Sequence, residues 1–112
     1  MAKVFGVVSL ELHPGVNEQE FIKFFNEQYA PLGARLGWKG YLLKADRGER
    51  AGKFAFIWEI PSVEQRDRFY PTMGEINEEG RRLLGSEFDE MMKKLPTYVT
   101  GWPRTDYVEQ EE

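Results

Sequence analysis

The 112 residues are 41% hydrophobic and 14% aromatic, enough to fill one core in a chain whose length suits a single domain. A formal net charge of -4, with no cluster of lysines and arginines on one predicted element, lacks the basic footprint that phosphate neutralisation requires, so no nucleic-acid partner is expected. With no cysteine and a single histidine the chain has no disulfide framework, no thiolate nucleophile and no multi-histidine metal centre within one protomer; neither a metal nor another cofactor is expected.

The first element in chain order is the apolar run Val4 to Leu12, interrupted by Gly6, Ser9 and Glu11. It reads as a strand and is too short to cross a bilayer, and Met1-Ala2-Lys3 leads into no signal-peptide pattern, so a cytoplasmic protein without a membrane partner is expected. The turn His13-Pro14-Gly15 follows. Asn17 then caps a helix, with Glu20 placed to complete a capping box. Phe21, Ile22, Phe24, Phe25, Tyr29 and Leu32 fall on one broad arc of that helix, opposite Lys23, Asn26 and Glu27; Pro31 and Gly33 are expected to end it. Two strand-like runs, Tyr41 to Asp46 and Phe54 to Ile60, flank a polar loop with two glycines and read as an antiparallel hairpin.

Pro61 stops the second of these strands, and Ser62 with Gln65 makes another capping box, opening a helix that carries Val63 and Phe69. Pro71 and Gly74 interrupt the chain before a further helical stretch from about Ile76 to Leu95, in which Leu84, Phe88, Met91 and Leu95 form one stripe and Ser86 offers a later start. Thr97 to Thr100 and Thr105 to Val108 make the last strand, with Trp102-Pro103 marking a bulge or an edge. Residues 1–108 thus form one domain, and 109–112 an acidic tail.

This order is the ferredoxin-like βαββαβ arrangement of the α+β class, with an extra helix and a four-stranded antiparallel sheet whose centre is strands one and three. Alternation sends Val4, Val8, Leu10 and Leu12 to one face and Phe5 and Val7 to the other, while Phe54, Phe56, Trp58 and Ile60 oppose Ala55 and Ile57. Both faces are apolar, and helices on one side cover only one of them. A second copy of the same sheet is the economical cover for the other, which predicts a homodimer.

Leu10-Glu11-Leu12-His13-Pro14-Gly15, with a strand running into a basic-Pro-Gly turn, and Phe56-Ile57-Trp58-Glu59-Ile60-Pro61-Ser62 leading to Arg68-Phe69 resemble the dimeric α/β-barrel superfamily, most nearly its antibiotic-biosynthesis-monooxygenase-like and NIPSNAP-like domains. The resemblance covers nearly the whole chain. It implies two sheets packed face to face, and in each protomer a pocket between sheet and helices that takes aromatic substrates or, in some members, haem. Pro61 stands where monooxygenase-like members commonly carry a pocket tryptophan. Tyr70, Pro71, Thr72 and Met73 stand where haem-degrading relatives carry their histidine.

Among single residues, His13 is the one side chain with an ordinary pKa suited to proton transfer near neutrality, although a turn before Pro-Gly is usually solvated. Glu59 and Glu11 lie among apolar positions of central strands; each is a candidate base if desolvated, or else the partner of a lysine or arginine across a dimer. Trp58 reads as core first and ligand platform second. Trp38 and Trp102 sit at strand ends where clefts or interfaces form, and Tyr29, Tyr41 and Tyr70 each offer a hydroxyl to a phenolic or carbonyl ligand. The expected sites are therefore His13 and Glu59 for catalysis and Trp38, Tyr41, Trp58, Tyr29 and Trp102 for binding a small apolar or aromatic ligand. Three functions compete: a cofactor-free monooxygenase acting on an aromatic or polyketide-like substrate, a non-catalytic dimeric ligand-binding or structural module, and, last, a haem protein. Strand alternation sets Glu59 opposite Trp58 and so away from the helix-covered face.

Overall fold

The computed structural model describes residues 2–111. A nine-residue strand, β1 (Val4–Leu12), alternates buried and half-buried side chains, as a strand covered on one face must. It lies at the centre of an antiparallel sheet, between β3 (Phe54–Ile60) and the last strand of the chain. Beyond β3 lies β2 (Lys39–Lys44) at one edge; at the other edge the last strand comes in two pieces, β4 (Val99–Gly101) and β5 (Arg104–Val108), both paired with β1. The five pieces occupy four strand positions, because Pro103 has no N–H to donate and breaks the ladder between β4 and β5. Trp102-Pro103 thus marks an edge. The register shift sits a little earlier, where Glu11 faces Gly101 but Leu12 faces Val99.

The helices cover one face. Asn17 Oδ1 accepts from the Glu20 amide at 3.1 Å and starts α1 (Glu18–Phe24), which passes into a π-helical turn, Phe25–Tyr29, and then α2 (Ala30–Ala34). The helical path therefore runs on past Pro31 and Gly33, where the sequence predicts its end. In the π turn the Ala30 amide donates to Phe25 O, a wider loop that accommodates an imino acid lacking its own donor at the next position. After β3 come α3 (Val63–Phe69), α4 (Glu78–Leu84) and α5 (Ser86–Tyr98). The stretch read as one helix from Ile76 is divided at Gly85, whose φ of +73° only glycine adopts without strain. Helix α5 continues to Tyr98 in spite of Pro96, absorbing the start of the expected last strand; the Tyr98 ring stacks on Phe24 at 4.8 Å, and that packing outweighs local propensity.

Phe21, Phe25, Phe56, Leu10, Ile60, Leu95, Val4 and Val99 are the largest fully buried side chains, drawn from both central strands, α1 and its π turn, α5 and the start of β4. The other sheet face is open. Tyr41, Leu43 and Tyr107 on it are 42%, 46% and 59% exposed, beside half-buried Phe5, Val7, Ala55 and Ile57. Among the described residues no helix is long and apolar enough to cross a membrane.

Candidate ligand-binding cavity

A cavity of about 310 Å³ opens between the helix-covered sheet face and the helices. Its floor is Val8, Leu10, Phe56 and Trp58; Phe25, Tyr29 and Leu32 descend from the first helix and Leu84, Phe88 and Leu95 from α4 and α5. Two glycines make the space for the floor. A Cβ on Gly33 would stand 1.9 Å from Trp58 Cζ3, and one on Gly40 would stand 2.6 Å from Phe56 Cζ. Gly33 therefore serves close approach of helix to sheet rather than helix termination.

Aromatic rings form a continuous row from the core to the far wall. Phe25 meets Phe56 with centroids 4.4 Å apart, Phe56 meets Trp58 edge-on at 4.7 Å, Trp58 meets Trp38 at 5.7 Å, and Trp38 meets Tyr70 at 5.4 Å. Trp38 is locked at its polar end, because its Nε1–H donates to Gln65 Oε1 at 2.6 Å while Gln65 Nε2 donates to Leu36 O. The Gln65 side chain is thus diverted from the capping box that the sequence suggests. Only half of that box forms, with the Gln65 amide donating to Ser62 Oγ at 3.1 Å.

The row ends on a charged group. The Arg104 guanidinium lies 5.8 Å from the Trp38 ring centroid and 5.9 Å from that of Tyr70, and among the described residues it is the one charged side chain in the cavity lining. Arg104 Nε donates to Asp106 Oδ1 at 2.7 Å, and Arg66 Nη1 donates to Asp106 Oδ2 at 3.1 Å. Both β5 residues pair with β1 positions on the helix-covered face, Arg104 opposite Val8 and Asp106 opposite Gly6. Gly6 is what admits them: a Cβ there would come within 2.8 Å of Arg104 Nε. Burial pushes the Tyr29 phenol up to about 12, with Tyr70 adding to the shift and Arg104 opposing it. Tyr70 is raised for the same chief reason, against Arg104 and Arg81. Both are neutral hydrogen-bond donors at physiological pH.

Of the residues singled out from sequence, Tyr29, Trp38, Trp58 and Trp102 line this cavity together, and Tyr70 joins them. The remaining four lie elsewhere. Tyr41 is on the open face, where its hydroxyl donates to Glu59 Oε1 at 3.1 Å; strand parity puts it there, since it pairs with Ile57. Glu59 shares that face and accepts from Lys3 Nζ at 3.0 Å, a hydrogen bond that, with the one from Tyr41, holds its carboxyl below the usual range rather than raising it. His13 sits beyond the end of β1, its Nε2–H donating to Pro96 O at 2.8 Å, because the last turn of α5 docks against that corner. Glu11 likewise pairs within its own chain, with Lys53 Nζ at 2.7 Å. Arg104, Asp106 and Arg66 are the residues that reading the sequence misses. For Arg104 and Asp106 the signal is parity, charges at alternate positions of a strand whose same-face neighbours are apolar; Arg66 lies on α3 and carries no such signal.

The imidazole that haem-degrading relatives use is absent from this lining, because His13 lies outside it. No family model matches the chain, and no curated protein matches it. Solved structures do. A NIPSNAP family protein from Agrobacterium tumefaciens superposes with a TM-score of 0.67 at 14% identity, covering 97% of this chain and 94% of its own. An uncharacterised NIPSNAP-like domain protein from Burkholderia xenovorans gives 0.65 at 14%, covering 96% and 85%. A dimeric protein of unknown function with a ferredoxin-like fold from Bacteroides fragilis gives 0.52 at 15%, covering 94% of each chain. At these identities the likeness is one of architecture, and the chain has the ferredoxin-like α+β fold that NIPSNAP-like domains share.

Proposed function

We propose that the protein binds a small, largely apolar or aromatic molecule in the cavity between sheet and helices, and does so as a homodimer joined through the open sheet face. One observation carries the binding reading: the space has apolar, aromatic walls and a single charged group at one end, the combination by which ligand sites differ from packing voids. Binding is favoured over proton-abstracting catalysis because the titratable groups in the lining are two raised phenols and an arginine, none of which takes a proton near neutrality. For the dimer the support is the apolar open face and the description of the Bacteroides neighbour as dimeric.

All three tryptophans of the chain line the cavity, so intrinsic fluorescence reports directly on its occupancy. Titration with 1-ethylnaphthalene is expected to quench that fluorescence saturably, and Met92→Phe, which extends a ring into the lining, is expected to weaken the binding. Unsaturable quenching in the native protein would refute the reading. Oxygen uptake with quinols and polyphenols separates binding from turnover. Uptake abolished by His13→Ala or Glu59→Gln would give those residues the catalytic role that their placement outside the cavity argues against.

A further inference from the structure

Ion pairs are an expensive way to fill a sheet face under helices, where a well-packed hydrophobe is often at least as stabilising. Asp106 has a side chain only 8% exposed, and Arg104 and Arg66 are 16% and 22% exposed. Two guanidiniums share that one carboxylate. Arg66 turns its Nε outward to Asp67 Oδ1 at 3.1 Å, but Asp67 is half in water, and Asp89, which pairs with Arg81 at 3.4 Å, is more exposed still. The inner cluster therefore carries two positive charges against one negative, and its compensation lies on the solvent side, where screening weakens it.

The surplus sits at a junction. A second recess of about 240 Å³, lined by Arg66, Asp67, Asp106 and the loop after α3, shares Tyr70, Met73, Gly74 and Arg104 with the apolar cavity. A molecule with an apolar body in the first space would have its end beside Arg104. An arginine offers five N–H donors, of which Asp106 engages two, and the phenols of Tyr29 and Tyr70 bond to no other described residue. These donors all border the same cavity, and both phenols feel the Arg104 charge.

Building on the ligand-binding reading of the cavity, we infer that its ligand is an amphipathic organic acid, with an aromatic or alicyclic body over Phe56 and Trp58 and a carboxylate held by Arg104 between the hydroxyls of Tyr29 and Tyr70. A carboxylate accepts from all three donors and supplies the negative charge that the cluster lacks, whereas a neutral carbonyl supplies only the acceptor. Asp106 acts as the internal counter-ion that the ligand partly relieves.

The test uses three matched compounds on the native protein by calorimetry: 1-naphthylacetate, 1-naphthylacetamide and 1-ethylnaphthalene. The acid is expected to bind about tenfold tighter than the amide, the usual margin of a charge-assisted bond over a neutral one. Arg104→Gln should erase that margin, leaving acid and amide with equal affinity for the variant. Asp106→Asn should widen the margin of acid over amide severalfold, a gain that a purely structural ion pair would not give and that stands even if Arg104→Gln fails to fold. Equal binding of acid and amide, or a margin that survives Arg104→Gln, would overturn the inference while leaving the cavity reading intact. Failure of all three compounds to bind would remove both.

Discussion

Tyr29 and Gly33 illustrate how single side chains set the cavity, and each has a measurable signature. Because the Tyr29 phenol is held neutral up to about 12 when folded, the folded state keeps a proton that the unfolded chain releases near pH 10. Stability from this group is therefore fully present below pH 10 and is lost as pH rises through the folded value, by roughly 2 to 3 kcal/mol over two units. Difference absorbance of phenolate should show one tyrosine titrating last, after the less strongly raised Tyr70 and Tyr41, and Tyr29→Phe should remove that last step; a full complement titrating near the ordinary value would contradict the burial. Gly33→Ala asks a different question, since alanine gains about 1 kcal/mol of helix propensity but sets a methyl 1.9 Å from Trp58. The clash should dominate, with a net loss of roughly 1 to 3 kcal/mol in urea melts and a shifted tryptophan emission. Sequence reading finds the aromatic lining because size and alternation are local properties. It misses Arg104 and Asp106 because their importance comes from Gly6 on another strand, a pairing made only by the fold.

At the level of elements the sequence is most legible where burial is periodic and least where tertiary packing overrides a helix breaker. Strand β3 falls at the predicted residues, and the hairpin before it closes as expected, with β2 shifted by two residues toward Lys39. Pro31 and the expected stop at Leu95, just before Pro96, mislead in the same way. The first sits just after a π turn, which no propensity encodes, and the second in a helix whose last residue is held by stacking on Phe24. The register of α1 is nevertheless correct in the sequence, since Phe21 is fully buried and Lys23 exposed. Phe21→Ala should consequently cost about 3 to 5 kcal/mol through lost burial and a residual cavity, and Lys23→Ala close to nothing. Chemical denaturation of the two variants checks the ranking, and a reversed order would mean that α1 presents another face to the sheet.

For the molecule as a whole the open sheet face decides what is stable alone. The three carboxylates among the described residues whose pKa is lowered by partners, Glu11 by Lys53, Glu59 by Lys3 and Glu87 by Arg35, all keep contact with water, Glu59 least with its side chain 25% exposed, so acid weakens the fold only mildly as pH falls through their lowered values. Two of them, Glu11 and Glu59, rim an apolar centre made by Phe5, Val7, Ala55, Ile57 and Leu43, which leaves a charged border around a dry middle, as interfaces have. If two such faces meet, the contact should bury upward of about 2,000 Å² in total, as obligate homodimers do, and the protein should sediment at twice its 13.1 kDa at micromolar concentration. Ile57 is the position to challenge, since it lies between Val7 and Tyr41 in the middle of the face and its side chain makes no part of the cavity lining. Ile57→Lys would place an unpaired charge in that centre, so dissociation to monomer or loss of the folded state is expected, while Glu18→Lys on the helix side should leave the dimer untouched. A native protein that sediments as a monomer, or an Ile57→Lys variant that remains dimeric, would show that this face is covered by something other than its own copy.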